Sequence, residues 1–201
     1  MKYHFIAVEG NIGAGKTTLA KQLAEHYNAK LLLEQFAENP FLPLFYEDNQ
    51  RHALPVELSF LTDRYEQLQA ALKEHNSSND LLIADYSIYK SPLFARNNLN
   101  DTEFALYSRI HDLIKTHIPK PDLFIYLHTP IDRLQRQIKK RGRPYEQDIT
   151  DHYLEEIEAA YGQYFKKDAT DVLWIDNAET DFNDPIHFNQ LIQYIDVRSE
   201  I

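Results

Sequence analysis

The stretch FIAVEGNIGAGKTTLA, from Phe5 to Ala20, holds three of the chain's five glycines. An apolar run leads into it and a helix-like run leaves it. Within it, Gly10-Asn11-Ile12-Gly13-Ala14-Gly15-Lys16-Thr17 matches G-x-x-x-x-G-K-[ST], the P-loop pattern, in its strand–loop–helix setting. The physical reason for the glycines is that backbone N–H groups must turn inward around a phosphate. Side chains would obstruct that approach, and parts of the turn need positive φ. The helix that follows aims its N-terminal dipole at the same anion. On this reading residues 10–17 and Thr18 surround the phosphates of ATP. Lys16 reaches the β- and γ-phosphates, and Thr17 offers a hydroxyl to Mg²⁺.

Outward from this loop the chain alternates. Five short apolar runs read as strands: HFIAVE (4–9), KLLLEQ (30–35), LLIADY (81–86), LFIYLH (123–128) and VLWIDN (172–177). Continuous apolar runs suit strands buried on both faces, as in a parallel sheet. Amphipathic spacing predicts helices over 16–27, 55–74, 102–116, 131–140 and 151–165, and one near 185–195. The segment LPVELSF puts Pro55 in the first turn of its helix, where a missing N–H costs least. EHNSSND (74–80) reads as a polar connection, and IPKPD (118–122) as a helix break before a strand. The pattern predicts an α/β fold: a five-stranded parallel sheet flanked by helices, in one domain over 1–201.

Composition narrows the function. The chain has 201 residues, is 43% hydrophobic and carries a net charge of −10, which disfavours nucleic-acid polymers and anionic membranes as partners. It has no cysteine, which excludes disulfides, thiol catalysis and Cys-based zinc sites. The N-terminus enters a strand pattern without the apolar core of a signal peptide, and no run approaches membrane-spanning length, so a cytoplasmic protein is expected. There is no guanine-reading N-K-x-D. A small P-loop chain with these properties suggests a kinase of small molecules.

Two local features add chemistry. Glu34 stands at the end of the second strand run, where α/β sheets present ligands, and a carboxylate there can accept a proton from an attacking hydroxyl. Arg141-Gly142-Arg143 sets two cations about a flexible residue, in a basic segment of an otherwise acidic chain; it reads as a phosphate-closing lid or as a solvated basic helix end.

Together with the P-loop, the segments LLLEQFAENPFLPLFYED (31–48), LPVELSFLTDR (54–64), DYSIYKSPLFA (85–95) and KKRGRPYEQ (139–147) resemble the deoxynucleoside kinase family, particularly its bacterial deoxyadenosine/deoxyguanosine kinase branch. The resemblance covers nearly the whole chain. It implies the P-loop kinase fold with an Arg-containing lid at about 139–148, ATP and Mg²⁺ as cofactors, a deoxynucleoside as the small-molecule substrate, and a homodimer.

The resemblance also implies roles. Glu34 matches the catalytic glutamate of the family's E-P-V motif, with Gln35 and Phe36 in place of Pro-Val. Asp85 matches the acid of E/D-R-S and would act with Thr17 around Mg²⁺. Lys16, Arg141 and Arg143 would compensate the charge of the moving phosphoryl group. Tyr46 and Glu146 would hold the sugar 3′-hydroxyl. Phe94 matches an aromatic that stacks on the base, although a lone Phe equally suits a core. Glu57 and Arg64 take the positions of a base-reading Gln and an Arg. An ionised Glu57 only accepts hydrogen bonds, which suits guanine N1–H and N2–H₂, so a purine deoxynucleoside with guanine favoured over adenine is expected; alternatively Glu57 pairs with Arg64. Two departures stand out: Tyr86 replaces the Arg of E/D-R-S, with Lys90 or a lid arginine left to cover the loss, and Ser91 replaces an Asp that pairs with an Arg. Two other functions remain beside the kinase of nucleosides: a nucleoside monophosphate kinase, and a nucleotide-binding module weak in catalysis.

Overall fold

The computed structural model describes residues 3–35, 39–73, 81–167 and 171–200. Five strands, β1 (Phe5–Gly10), β2 (Lys30–Leu32), β3 (Leu82–Ala84), β4 (Leu123–His128) and β5 (Val172–Asp176), form one parallel sheet in the order β2-β3-β1-β4-β5. β1 is central and fully buried, which is why its run is apolar without alternation. It pairs with β3 through Ala7 opposite Ala84, and with β4 through Gly10 opposite Leu127.

The helices are α1 (Lys16–Tyr27), α2 (Phe41–Glu47), α3 (Asn49–Lys73), α4 (Ser91–Asn98), α5 (Asp101–Lys115), α6 (Ile131–Arg141), α7 (Asp151–Lys167) and α8 (Pro185–Glu200). Alternate residues of each strand serve opposite faces. Phe5, Ala7, Leu82, Ala84, Phe124 and Tyr126 pack with Leu61 and Leu68 of α3, Ala95 of α4, Tyr107 of α5, and Ile157 and Tyr161 of α7. Ile6, Val8, Ile83, Ile125 and Leu127 pack with Leu19 and Leu23 of α1, Leu134 and Ile138 of α6, and Leu191 and Ile195 of α8. A sheet covered on both faces must present its ligands at the strand ends, and in a parallel sheet all carboxyl ends share one edge.

Three expectations change. α3 begins at Asn49, so Pro55 lies inside it rather than in its first turn. Asp48 starts the helix, its carboxylate accepting from the Arg51 N–H at 3.2 Å. The interior Pro forgoes one backbone bond, and burial of Ala53, Val56, Leu61 and Leu68 along the helix outweighs that loss. β2 and β3 are three residues each, shorter than their apolar runs, so Glu34 and Asp85 lie just beyond the strands. Two helices, α2 and α4, went unread because they are short and apolar on several sides, with Pro43 and Pro92 suggesting turns. The 74–80 connection and Phe36 lie outside the described residues.

Candidate active site

The loop after β1 curls back at the carboxyl edge of the sheet. Gly13 and Gly15 have φ of +85° and +93°, a region that side chains rarely adopt. A Cβ on Gly13 would also come 3.0 Å from the Leu134 carbonyl oxygen, so the loop lies directly on α6. Asn11 is fully buried, donating to the Leu154 carbonyl at 2.8 Å and accepting from the Ile12 N–H at 2.8 Å. Its side chain therefore braces the loop against α7, and only its backbone faces the loop interior. Lys16 Nζ donates to the carbonyls of Gly10 and Asn11, each at 2.9 Å. Burial and the nearby Lys90 charge lower its pKa to about 8, so it remains largely protonated at neutral pH.

Thr17 Oγ1 donates to Asp85 Oδ2 at 2.5 Å. A hydroxyl and a carboxylate oxygen thus meet at the foot of the loop. Both are hard donors of the kind Mg²⁺ accepts, and Mg²⁺ commonly takes one or two protein oxygens with phosphate and water completing its shell. Among the described residues no group of three or more His, Cys, Asp or Glu converges. The donor set fits a metal that arrives with a nucleotide, not one caged by protein alone.

The other Asp85 oxygen accepts from the Glu34 N–H at 2.7 Å, which aims the Glu34 side chain inward. That carboxylate, 4% exposed, is clasped from two elements. Arg64 of α3 places Nε 2.6 Å and Nη2 2.5 Å from Oε1, and Lys90 places Nζ 3.2 Å from Oε2. Burial alone would push the carboxyl up, but Arg64, Lys90 and Lys16 outweigh it and hold the pKa at about 2. Arg64 Nη1 donates to Ser91 Oγ at 2.8 Å, so the serine that departs from the family pattern still serves the arginine.

A cavity of about 510 Å³ runs from the loop past Glu34 into a slot lined by Phe45, Tyr46, Phe60 and Phe94. Phe94 also meets Tyr161 edge-on, with centroids 6.3 Å apart. Glu57 closes the slot. It does not hydrogen-bond Arg64; its Oε1 accepts from Asn98 Nδ2 at 2.6 Å, and Asn98 Oδ1 accepts from the Tyr153 hydroxyl at 3.2 Å. Burial raises the Glu57 carboxyl to about 7, against the Asn98 hydrogen bond and the Arg64 charge. At the mouth, Glu146 is buried and paired with both Arg141 and Arg143, the latter at 3.0 Å. Tyr46 stacks on Tyr145, with centroids 5.9 Å apart.

The sequence profile of the family described as deoxynucleoside kinase matches residues 6–197. The chain belongs to the deoxynucleoside kinase family. It is 38% identical over 157 residues to the deoxyguanosine kinase of Bacillus subtilis, covering 78% of this chain and 76% of that one. It is 36% identical over 171 residues to the deoxyadenosine kinase of Lactobacillus acidophilus, covering 80% and 77%. The fold matches a structure of deoxyadenosine kinase from M. mycoides with bound dCTP at a TM-score of 0.83 and 23% identity, covering 96% of this chain and 99% of that one.

In this kinase the site residues named from sequence line one cavity, except Gly10, Asn11 and Asp85, which stand behind its lining. Sequence reasoning missed Asn98 and Tyr153, which orient Glu57. It also missed Glu9, which accepts from the Ser87 N–H at 2.8 Å and the Tyr161 hydroxyl at 3.0 Å. Only the placement of a charged residue in the otherwise apolar β1 could have flagged Glu9. Nothing local marks Asn98, at the end of an unread helix.

Proposed function

We propose that this kinase transfers the γ-phosphoryl group of ATP, with Mg²⁺, to the 5′-hydroxyl of a purine deoxynucleoside, yielding the 5′-monophosphate and ADP. The observation that carries this reading is the position of Glu34: a buried carboxylate where the phosphate loop meets an aromatic slot. The slot takes the nucleoside, with the base between Phe60 and Phe94 and the sugar near Tyr46 and Glu146. Glu34 accepts a hydrogen bond from the 5′-hydroxyl and aims it at the phosphoryl group. With a pKa near 2 it acts first as an orienting acceptor, taking the proton as the phosphoryl group transfers. Lys16 answers the charge on the phosphates. Arg141 and Arg143 form the lid and leave Glu146 for the phosphates as it closes. Thr17 and Asp85 would hold Mg²⁺, which neutralises phosphate charge when bound.

A nucleoside acceptor fits better than a monophosphate. Arg64 and Lys90 are already engaged by Glu34, and Arg51 is exposed, outside the cavity lining. A carboxyl at Glu57 titrating near 7 reads both purines. Ionised, it accepts from guanine N1–H and N2–H₂; protonated, it both donates to adenine N1 and accepts from its amino group. The names of the Bacillus and Lactobacillus relatives support purines. Leu106 and Leu113, seven apart on α5 and 46% and 72% exposed, support a homodimer through that helix, which sedimentation would detect.

The test is ADP release with MgATP against the four deoxynucleosides, the matching ribonucleosides and the monophosphates, beside Glu34→Gln. Purine deoxynucleosides are expected to turn over best, and Glu34→Gln to lower kcat by roughly 100-fold or more. Turnover confined to monophosphates, or to pyrimidines, would defeat the reading.

A further inference from the structure

Position 86 supplies no cation to the site. Tyr86 is fully buried and donates to Gln67 of α3 at 3.0 Å, and it does not line the cavity. Lys90 does line it, although its ammonium is only 4% exposed. A lysine so deeply buried needs carboxylate partners, and two are present: Glu34 at 3.2 Å and Glu9 at 3.9 Å. The backbone that carries it is anchored by the same acid. Glu9 accepts from the N–H of Ser87, the residue that opens the short 3-10 turn Ile88–Lys90.

We propose that Lys90 is a positioning residue for phosphoryl transfer, holding the free oxygen of Glu34 in line with the acceptor hydroxyl and placing beside the transferring group the cation that position 86 lacks. The proposal rests on the kinase reading given above. Arg64 addresses only Oε1 of Glu34, through two nitrogens, so Arg64 alone leaves the carboxylate free to pivot about that oxygen. Lys90 at Oε2 removes the pivot. Lys16, Arg64 and Lys90 gather at the transfer point among the carboxyl groups of Glu9, Glu34 and Asp85. ATP and an ionising hydroxyl add negative charge there, which Lys90 helps to offset from the side of Glu34, beside Lys16 and the lid arginines. If Lys90 served only to neutralise Glu9, it would sit nearer Glu9 than Glu34 and away from the cavity.

The experiment compares the full chain with Lys90→Met, Lys90→Gln and Lys90→Arg. Each is assayed for kcat and KM with MgATP and its best acceptor, for ATP binding by calorimetry, and for thermal unfolding. Met and Gln are expected to lower kcat by roughly 100-fold, with KM for the acceptor and affinity for ATP changed by about threefold or less. Arg is expected to restore kcat to within about tenfold of wild type. A kcat within about threefold of wild type in either Met or Gln would overturn the proposal. So would failure of Arg to rise above them, which would mean that the shape of lysine, not its charge at Glu34, matters. If Met does not fold, the Gln and Arg pair decides alone. Wild-type turnover confined to monophosphates would defeat the nucleoside reading yet leave the same kcat comparison to judge Lys90. Absence of any wild-type turnover would end both.

Discussion

The two ends of the cavity are built in different ways. The phosphate end is contiguous: β1, the glycine loop and the first turn of α1 occupy residues 5–18, and Lys16 folds back on Gly10 and Asn11 within that stretch. The acceptor end is assembled from distant segments. Glu34 follows β2, Arg64 is on α3, Lys90 precedes α4 and Asn98 ends it, Glu146 follows α6 and Tyr153 is on α7. The difference teaches where each specificity resides. Every nucleotide carries the same phosphates, so a short segment suffices to hold them. A particular sugar and base need walls on several sides, which only long-range packing supplies.

If the two ends are separate in function, substitutions should separate them. The largest effect is expected for Lys16→Met at the phosphate end. It should lower kcat by roughly 1000-fold or more and weaken ATP binding, while leaving the calorimetric affinity for the deoxynucleoside within about threefold. Comparable loss of nucleoside affinity would show that the ends are not independent.

Next comes Glu57→Gln at the acceptor end. The wild-type carboxyl is held near 7, above the ordinary carboxylate value. Between the unfolded value and 7 the folded state binds more protons than the unfolded, so stability falls as pH rises through that window. Glu57→Gln removes this penalty. It should be more stable than wild type by about 3 kcal/mol at pH 8, with the advantage fading to nothing near pH 4. The same titration should raise the ratio of deoxyguanosine to deoxyadenosine kcat/KM in wild type by roughly tenfold from pH 6 to pH 8, and leave it flat in Glu57→Gln. Parallel melting curves at all pH values would remove Glu57 from this role. Asn98 and Tyr153 bear on the group from α4 and α7, and Arg64 and Glu34 act on it from α3 and β2's end, so the ratio should be measured at constant ionic strength.

The smallest effect contrasts two glycines. Gly13→Ala must adopt positive φ and crowd the Leu134 carbonyl, costing about 2–3 kcal/mol; Gly142→Ala meets nothing within 4 Å and should cost only about 1 kcal/mol. Thermal unfolding would measure both. Equal costs would mean that contact with α6 adds nothing to the backbone strain.

Legibility in the sequence follows the same division. α1 and β4 stand where the pattern places them, residue for residue, because a helix start after a glycine loop and a doubly buried strand both have local causes. Pro55 misled the reading of α3 because propensity treats an interior Pro as a break, whereas buried contacts on both sides of it carry the helix through. Glu57 and Arg64 do share a helix face, yet their partners lie elsewhere. Arg64 turns to Glu34, thirty residues back, and Glu57 to Asn98, forty-one residues on. Helical spacing tells which side chains are neighbours on one helix, not which element packs against them.

By itself, then, the sequence determined the phosphate loop, the parallel sheet and the list of charged residues available to the site, since those depend on steric demands and periodicities within a few residues. Only the tertiary structure decided which charges meet. It set Arg64 and Lys90 on opposite oxygens of Glu34, turned Tyr86 away toward Gln67, and buried Glu57 deeply enough to titrate near neutrality. Electrostatic pairing and desolvation depend on distances across the fold, and those exist only once the helices have packed on the sheet.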